Sequence, residues 1–340
     1  MIYEQPILPF GVVTACHAAD YWMVKACCAS IRFYSGGVPI CLVADGEFDT
    51  SEVERAYGVL VVRTGELPDE RMRRVCQGTP RSKLAAHWFG PFERYLYIDC
   101  DAIFWGDAVK AIADWRGDFM AFVDPSLAPL EKAHVTHFYM NPDQLAKFDP
   151  EFDYRKHSFF CAGMYAARRR LISIDEWLVI ESWRAKYPDL FSFTTDQGIM
   201  NYLMFSWAEK GRIQMDLRDL QYIPYERPRG EPEREYPCQL TAPPKSPTKV
   251  RMLHFCGQKP MLHIRNPIYR RPYTAFRLLH YATQSRLGPA RYLSAWLSVA
   301  EEELAAIWRR GTGKIMRHVA ALLTGRNPLQ ARRQVVVIQQ

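Results

Sequence analysis

The sequence of 340 residues lacks the features that mark secreted and membrane-spanning proteins. Its N-terminus has no basic region followed by an apolar stretch and a small-residue cleavage site, so we expect no secretory signal. No uninterrupted apolar run reaches the length that crosses a bilayer, so we expect no transmembrane helix. None of the asparagines begins an N-x-S/T acceptor for glycans. These absences favour a cytoplasmic protein.

Cysteine is too sparse and too scattered for a disulfide scaffold. The nine cysteines are an odd number and include no C-x-x-C pair. Several lie inside apolar runs, as Cys41 does between Ile40 and Leu42. Such positions are typical of reduced core residues in a cytosolic protein, and they predict neither disulfide staples nor a zinc site.

Acidic residues are scarce at the C-terminal end. Residues 261–340 contain 13 Lys and Arg against three Glu, whereas the preceding residues contain 31 basic and 34 acidic side chains. The net charge of +7 therefore comes from the last quarter of the chain. A basic tail indicates an anionic partner, and we expect a membrane surface or a phosphorylated glycan in preference to nucleic acid.

Short apolar runs alternate with amphipathic segments along the chain. Strands are predicted over residues 11–15, 38–44, 59–62, 94–98, 119–123, 159–166 and 250–255. Helices are predicted over residues 20–34, 51–57, 174–186 and 196–207, and residues 224–249 are predicted to be a proline-rich irregular loop. This alternation predicts an α/β fold with a mostly parallel central sheet flanked by helices.

Two carboxylates follow the predicted strand at residues 94–98. Asp99 and Asp101 can both reach one cation only where the chain leaves the strand, because within it they would point to opposite faces. Ligands of open α/β sheets bind beyond the carboxyl ends of strands, and carboxylate oxygens suit Mg²⁺ or Mn²⁺, which bridge diphosphates. Taken alone, a D-x-D segment is a weak signal, and two solvated turn residues are the simpler interpretation.

A second polar segment, Leu253–Pro260, begins within the predicted strand at residues 250–255 and continues beyond it. Here His254 can complete a carboxylate metal site, Gly257 lets the backbone approach a phosphate, and Lys259 offers it a point charge. Each residue alone is more often a core histidine, a turn glycine or a surface lysine. Because the three residues lie within six positions of one another, together they favour a metal-diphosphate site more than each does alone.

Together these residues resemble glycosyltransferase family 8, the retaining group that includes glycogenins and bacterial lipopolysaccharide galactosyltransferases. The likeness covers residues 11–260, with the motifs in the family's order. The segments are Val13–Tyr21, Lys83 sixteen residues before Asp99, Tyr95–Asp101, Ala121–Asp124, Phe159–Met164, Asp196–Asn201 and His254–Pro260. The chain departs from the family at Cys161, where Asn is usual, and near Lys259, where one residue is missing and Met261 replaces Trp. These departures indicate a remote relative.

The resemblance implies a fold and an activity. It implies a GT-A-type nucleotide-diphospho-sugar transferase domain over residues 1–260, followed by a basic helical region over residues 261–340. The implied reaction is metal-dependent transfer, with retention, of a hexose from a UDP-sugar to a glycan, lipid-linked or protein acceptor. The implied cofactor is Mn²⁺ or Mg²⁺.

The resemblance also implies roles for single residues. Metal binding falls to Asp99, Asp101 and His254. Donor binding falls to Ala15, His17, Tyr21, Lys83, Asp124, Gly163, Gly257 and Lys259. The catalytic residues would be Asp196 and Gln197 near the anomeric carbon, where Gln197 positions or stabilises; a covalent nucleophile at Asp196 is the less favoured variant.

Two other classes of protein also fit parts of the pattern. A haloacid-dehalogenase-like phosphatase would use Asp99 as its nucleophile, but that motif opens the first strand of its fold, and here three strand-like runs precede it. A non-catalytic nucleotide-sugar-binding protein would keep the fold without turnover.

The basic C-terminal region has an apolar periodicity of its own. Apolar residues recur at near-helical spacing at Leu304, Trp308, Ile315, Val319 and Leu322, with Arg309, Arg310, Lys314 and Arg317 between them. The pattern predicts amphipathic helices that either lie on an anionic membrane at the inner face or pack on the catalytic domain. Gly311 and Gly313 predict a break into two shorter helices.

Overall fold

The computed structural model describes residues 7–78, 81–126, 129–192, 196–224, 251–257, 259–262 and 267–323, with backbone alone for 267–268 and 309–323. The predicted irregular loop lies outside the described residues except at its first position, and so do residues 324–340. The strands are β1 Leu8–His17, β2 Ile40–Asp45, β3 Leu60–Arg63, β4 Phe92–Ile98, β5 Ala102–Phe104, β6 Phe119–Ala121, β7 Met164–Arg168, β8 Met215–Leu217, β9 Gln221–Tyr222 and β10 Met252–His254. The helices are α1 Tyr21–Ser35, α2 Ser51–Tyr57, α3 Glu70–Cys76, α4 Ala85–Phe89, α5 Ala108–Ala111, α6 Lys132–Phe138, α7 Pro142–Leu145, α8 Ile174–Lys186, α9 Asp196–Glu209, α10 Pro267–Gln284 and α11 Arg291–Leu323.

Seven strands form the central sheet in the order β3-β2-β1-β4-β7-β6-β8. The first four are parallel, β7 runs antiparallel between β4 and β6, and β8 is parallel to β6. A smaller sheet has the order β5-β10-β9, in which β10 is antiparallel to β5. The predicted α/β fold with a mostly parallel sheet is confirmed.

Both faces of the central sheet are buried, which explains why its strands read as continuous apolar runs. Alternate residues point to opposite faces. On one face Val13, Tyr95 and Tyr97 pack with residues of α4, α8 and α9. On the other face Leu96 and Ile98 pack with residues of α1 and α10. The sheet is therefore covered by helices on both sides.

The predicted strand over residues 159–166 is shorter in the structure, since β7 begins only at Met164. Instead of a neighbouring strand, the side chain of Asn201 on α9 binds the backbone of Phe160. The amide of Asn201 accepts from Phe160 N at 2.9 Å and donates to Phe160 O at 2.9 Å. This side chain satisfies backbone groups that a strand ladder would otherwise pair.

Helix α10 is tied to the N-terminal part of the chain by buried polar contacts. The hydroxyl of Tyr273 lies 2.8 Å from the carbonyl oxygen of Met23 and 2.8 Å from that of Cys100. The guanidinium of Arg277 lies over the ring of Trp22, 4.6 Å from its centroid, and pairs with Glu302 and Glu303 of α11. The boundary predicted near residue 260 is not tested by these contacts and stays a prediction.

A buried lysine joins four helices. The ammonium of Lys25 on α1 lies 2.8 Å from Glu52 on α2, 3.0 Å from Glu302 on α11 and 2.9 Å from the hydroxyl of Tyr281 on α10. A hydrogen bond from His280, together with the charge of Lys25, outweighs burial and lowers the pKa of Glu52 to about 2. The C-terminal helices are thus fixed to the body through a charged network.

The predicted break at Gly311 and Gly313 is wrong, because α11 continues as one helix to Leu323. A helical glycine costs only about 1 kcal/mol relative to alanine, and the residues around these two are mostly good helix formers. Among the residues that the structure describes, no helix is long and apolar enough to cross a membrane.

Candidate functional site

The four parallel strands end at one edge of the sheet, and polar residues collect there. His17 at the end of β1 is in register with Asp45 at the end of β2. Asp99 follows the last residue of β4, which is the other neighbour of β1. This edge is where ligands of open α/β sheets bind.

The small sheet brings a histidine to the two carboxylates. Because β10 is antiparallel to β5, His254 lies opposite Ala102, the residue after Asp101. The Nε2 atom of His254 is 3.3 Å from Asp101 Oδ1 and 3.7 Å from Asp99 Oδ2. The structure therefore brings together the three residues to which the resemblance assigned the metal.

Each carboxylate has one oxygen bound by the protein and one turned to His254. Asp99 Oδ1 accepts from the hydroxyl of Tyr97 at 2.5 Å and lies 3.3 Å from Lys83 Nζ. Asp101 Oδ2 accepts from Lys259. Asp99 Oδ2 and Asp101 Oδ1 thus converge with Nε2 of His254, and partners behind each ligand fix its orientation, as in known metal sites.

These atoms fit a divalent cation. Asp101 Oδ1 and His254 Nε2 are buried and 3.3 Å apart, and within the described part of the chain neither forms a well-directed hydrogen bond. Buried polar atoms without a partner are costly, and a bound cation would satisfy both. Two carboxylate oxygens and one imidazole suit Mn²⁺ or Mg²⁺ better than a thiolate-seeking metal.

Gly163 leaves the space that the cluster occupies. A Cβ atom at this position would lie 2.2 Å from His254 Cε1 and 2.6 Å from Asp99 Oδ2. The carbonyl oxygen of Gly163 also accepts from the backbone N–H of Asp99 at 2.7 Å. Only glycine lets β7 approach the two ligands so closely.

Charges around the cluster bias its protonation. Burial raises the pKa of Asp101, but His254 and Lys259 outweigh burial and hold that pKa well below its ordinary value. Burial lowers the pKa of Lys259, and Asp101 more than reverses this. Asp101 is therefore ionised, as a metal ligand must be.

Lys83 forms the back of the site. The residue is only 3% exposed. Its ammonium lies 3.1 Å from Asp196 Oδ2 and donates to Ala162 O at 3.1 Å. Burial lowers the pKa of Lys83, but Asp99 and Asp196 raise it well above the ordinary value. Burial raises the pKa of Asp196 against the opposing charge of Lys83. Lys83 therefore links Asp99 to the start of α9.

The next residue of α9, Gln197, lies at the partly exposed side of this arrangement. Its Nε2 donates to Phe138 O at 3.1 Å, and its Oε1 accepts from Ala162 N at 3.4 Å. The amide is thus held between the end of α6 and the turn that leads to Gly163.

The other residues assigned to the donor line the same edge or its surroundings. Ala15 is buried in β1, and His17 accepts from Ala19 N at 3.1 Å. The hydroxyl of Tyr21 accepts from Val53 N at 3.3 Å, and Asp124 Oδ1 accepts from Ser126. Gly257 has a φ of +92°, in the region that favours glycine. None of these contacts tests donor binding.

Three contacts of the site were not anticipated. Tyr97 lies two residues before Asp99, and strand alternation could have placed both on one face. The bond of Lys83 to Asp196 and the approach of Cys256 to Cys161 join residues far apart in the chain. Only the tertiary fold brings those pairs together.

The sheet order is that of a GT-A-type fold, which is the fold of many glycosyltransferases. The haloacid-dehalogenase alternative expects its nucleophile after the first strand, whereas in the structure the fourth strand leads to Asp99.

Among solved structures, the chain is similar to the galactosyltransferase LgtC, crystallised in complex with donor and acceptor sugar analogues. The TM-score is 0.51 at 13% sequence identity, over 84% of this chain and 99% of that chain. The glycosyltransferase GlyE of Streptococcus pneumoniae superposes with a TM-score of 0.48 at 15% identity, over 86% of this chain and 64% of that chain. At such identities the likeness establishes the fold alone. No protein-family model and no curated protein matches the chain.

Proposed function

We propose that the protein is a metal-dependent, retaining glycosyltransferase that moves a hexose from a UDP-sugar to a glycan, lipid-linked or protein acceptor. The proposal depends on one observation above all. Asp99 and Asp101 each turn one oxygen to His254 at the ligand-binding edge of a GT-A sheet. The LgtC structure, which holds donor and acceptor sugar analogues, supports the substrate class.

Asp99, Asp101 and His254 would hold Mn²⁺ or Mg²⁺, which as a Lewis acid would neutralise a diphosphate leaving group. Lys259 is 25% exposed at its side chain and lies beside Asp101, so it can add positive charge to the same diphosphate. Ala15, His17, Tyr21, Lys83, Asp124, Gly163 and Gly257 remain the residues proposed to surround the donor.

The environment of α9 separates the two proposed catalytic residues. Asp196 is 2% exposed and paired with Lys83. We therefore propose that Asp196 positions Lys83 and does not act as a nucleophile. Gln197 is partly exposed to solvent, and its amide is a poor nucleophile. We therefore propose that Gln197 positions the reacting sugar. Retention would then proceed by a same-face displacement in which the leaving phosphate oxygen takes the acceptor's proton.

The proposal is tested by incubating the protein with a panel of nucleotide sugars and measuring release of the nucleotide. We expect slow hydrolysis of a UDP-hexose. A chelator should abolish this hydrolysis, Mn²⁺ should restore it, and the Asp101→Asn variant should not show it. Mn²⁺-dependent UDP binding without hydrolysis of any donor, with or without candidate acceptors, would favour the non-catalytic binding alternative.

Substitutions should separate sugar positioning from nucleotide binding. We expect Gln197→Ala and Asp196→Asn to lower turnover by a factor of about 100 with UDP affinity nearly unchanged. Lys259→Ala should weaken UDP binding about tenfold or more, because a charge-assisted hydrogen bond contributes about 1.5–3 kcal/mol. Calorimetric titration of UDP with Mn²⁺ measures the difference. Equal loss of UDP binding in all three variants would show that the start of α9 lies at the nucleotide.

We also propose that α11 brings the protein to an anionic membrane, as a peripheral protein of the cytoplasmic face. Ala295, Val299 and Ala306 of this helix are buried, and Val299 and Ala295 pack with α10. An outer stripe of Leu293, Leu297 and Leu304 is between 64% and 67% exposed. The sequence after Glu303 contains seven Lys and Arg and no acidic residue. Each basic residue near an anionic surface contributes about 1 kcal/mol.

Vesicle co-sedimentation tests this placement. We expect salt-sensitive binding of the intact protein to phosphatidylglycerol vesicles. The double substitution Leu297→Gln/Leu304→Gln should weaken this binding, and removal of residues 309–340 should reduce it. Both variants should still hydrolyse the donor. Val179→Gln is the matched control, since Val179 on α8 is 51% exposed and far from α11 in sequence. A shorter chain that ends before Glu302 is unsuitable, because Lys25 pairs with Glu302. Failure of the intact protein to bind such vesicles at low salt would contradict the proposal.

A further inference from the structure

We propose that Cys161, Cys256 and the Nδ1 atom of His254 form a second metal site, suited to zinc, on the opposite side of the imidazole from Asp99 and Asp101. The ligand atoms of these three residues all lie within 4.8 Å of one another. The Sγ atom of Cys161 is 3.6 Å from Nδ1 of His254. The proposal concerns metal binding and does not depend on the transferase activity.

The 3.6 Å distance between Cys161 Sγ and His254 Nδ1 matches that of a tetrahedral zinc site, and Cys256 Sγ lies within 4.8 Å of the other two ligand atoms. With Zn–S bonds of about 2.3 Å and Zn–N bonds of about 2.0–2.1 Å, tetrahedral geometry places S and N about 3.6 Å apart and two S atoms about 3.8 Å apart. Two thiolates and one imidazole form a known type of zinc ligand set with an open fourth position. The hard-oxygen set of Asp99 and Asp101 prefers other metals.

The two cysteines differ from the other cysteines that the structure describes. Cys16, Cys27, Cys28, Cys41, Cys76 and Cys100 are buried, whereas Cys161 and Cys256 are partly exposed. The two residues are therefore closer to solvent than the other described cysteines. The sequence analysis predicted no zinc site, because 95 positions separate the two cysteines and neither belongs to a C-x-x-C pair.

His254 belongs to both sites, and this makes them antagonistic. A neutral imidazole has one ring nitrogen with a free lone pair and one N–H. When Nδ1 binds zinc, Nε2 carries the proton and can only donate to Asp101. The carboxylate site then loses its nitrogen ligand, so zinc at the thiols should weaken Mn²⁺ binding between Asp99 and Asp101.

Cobalt is the probe for the proposed site, because Co²⁺ replaces zinc and gives a near-ultraviolet charge-transfer band when thiolate binds it. With the reduced full-length protein, we expect this band at one equivalent of Co²⁺ and its loss when Zn²⁺ is added. Cys161→Ser and Cys256→Ser should each remove the band. Asp101→Asn should keep it, since Asp101 is not a ligand of this site. Circular dichroism and thermal melting establish that each variant is folded.

The antagonism is measured by electron paramagnetic resonance of free Mn²⁺. One equivalent of Zn²⁺, which prefers the thiols to the carboxylates, should weaken Mn²⁺ binding by the wild type about tenfold or more, and the weakening should be smaller in Cys161→Ser. Absence of the cobalt band in the wild type, or its persistence in both serine variants, would overturn the proposed site. A normal cobalt band in a wild type that binds no Mn²⁺ would count against the proposed transferase function and leave the thiol site standing.

Discussion

Replacement of Gly163 by alanine is expected to abolish Mn²⁺ binding at the carboxylate site and to lower turnover by a factor of about 100 or more. The added Cβ would lie 2.2 Å from His254 Cε1 and 2.6 Å from Asp99 Oδ2, well inside contact distance. Neither neighbour can move away easily. His254 is 1% exposed within the small sheet, and Asp99 is held through the hydroxyl of Tyr97.

Mn²⁺ titration by paramagnetic resonance and donor hydrolysis measure this effect, with circular dichroism to verify folding. Gly37→Ala is the matched control, because a Cβ at Gly37 meets nothing within 4 Å and the position has no positive φ. We expect Gly37→Ala to bind Mn²⁺ like the wild type. Wild-type Mn²⁺ affinity in Gly163→Ala would show that the cation does not bind among Asp99, Asp101 and His254.

Replacement of Lys83 by methionine is expected to destabilise the protein by about 3–5 kcal/mol. The ammonium lies 3.3 Å from Asp99 and 3.1 Å from Asp196, and its side chain is only 4% exposed. Methionine fills a similar volume but leaves the buried carboxylate of Asp196 without its cation. An uncompensated buried charge is the main source of the loss.

Urea unfolding measures this free energy, and a second substitution tests its origin. Lys83→Met/Asp196→Asn should recover part of the lost stability, since the neutral amide removes the unpaired charge. Lys132→Met is the matched control. Lys132 pairs with Asp143 at 2.6 Å, but the two side chains are 50% and 73% exposed, so we expect a change below about 1 kcal/mol. A similar change in both lysine variants would contradict a special role for the buried pair.

The sequence predicted those parts of the site that follow directly from strands. Asp99 and Asp101 follow an apolar run, so the rule that ligands bind at strand ends placed them at the ligand edge, and the resemblance added His254 to them. Helix α8 was predicted with the bounds that the structure has, and its capping box of Ser173 and Glu176 is a local signal.

Other features depend on contacts that local patterns do not encode. Residues 159–163 have the composition of a strand, yet the amide of Asn201 binds the backbone there. The meeting of Cys161 and Cys256 depends on how β10 lies beside β5 and on the turn before Gly163. Single helical glycines are weak breakers, and therefore the break predicted in α11 does not occur.

The contacts of the Tyr273 hydroxyl limit how far the chain can be shortened from its C-terminal end. The hydroxyl contacts the carbonyl oxygen of Cys100, the residue between the two carboxylates of the proposed metal site, from a helix that lies wholly beyond residue 260. A fragment designed to end at residue 260 would remove this brace from the backbone of Asp99–Asp101. It would also expose the ring of Trp22, which Arg277 covers. A minimal folded chain therefore has to retain α10 and the first turns of α11 through Glu303, even if it never meets a membrane.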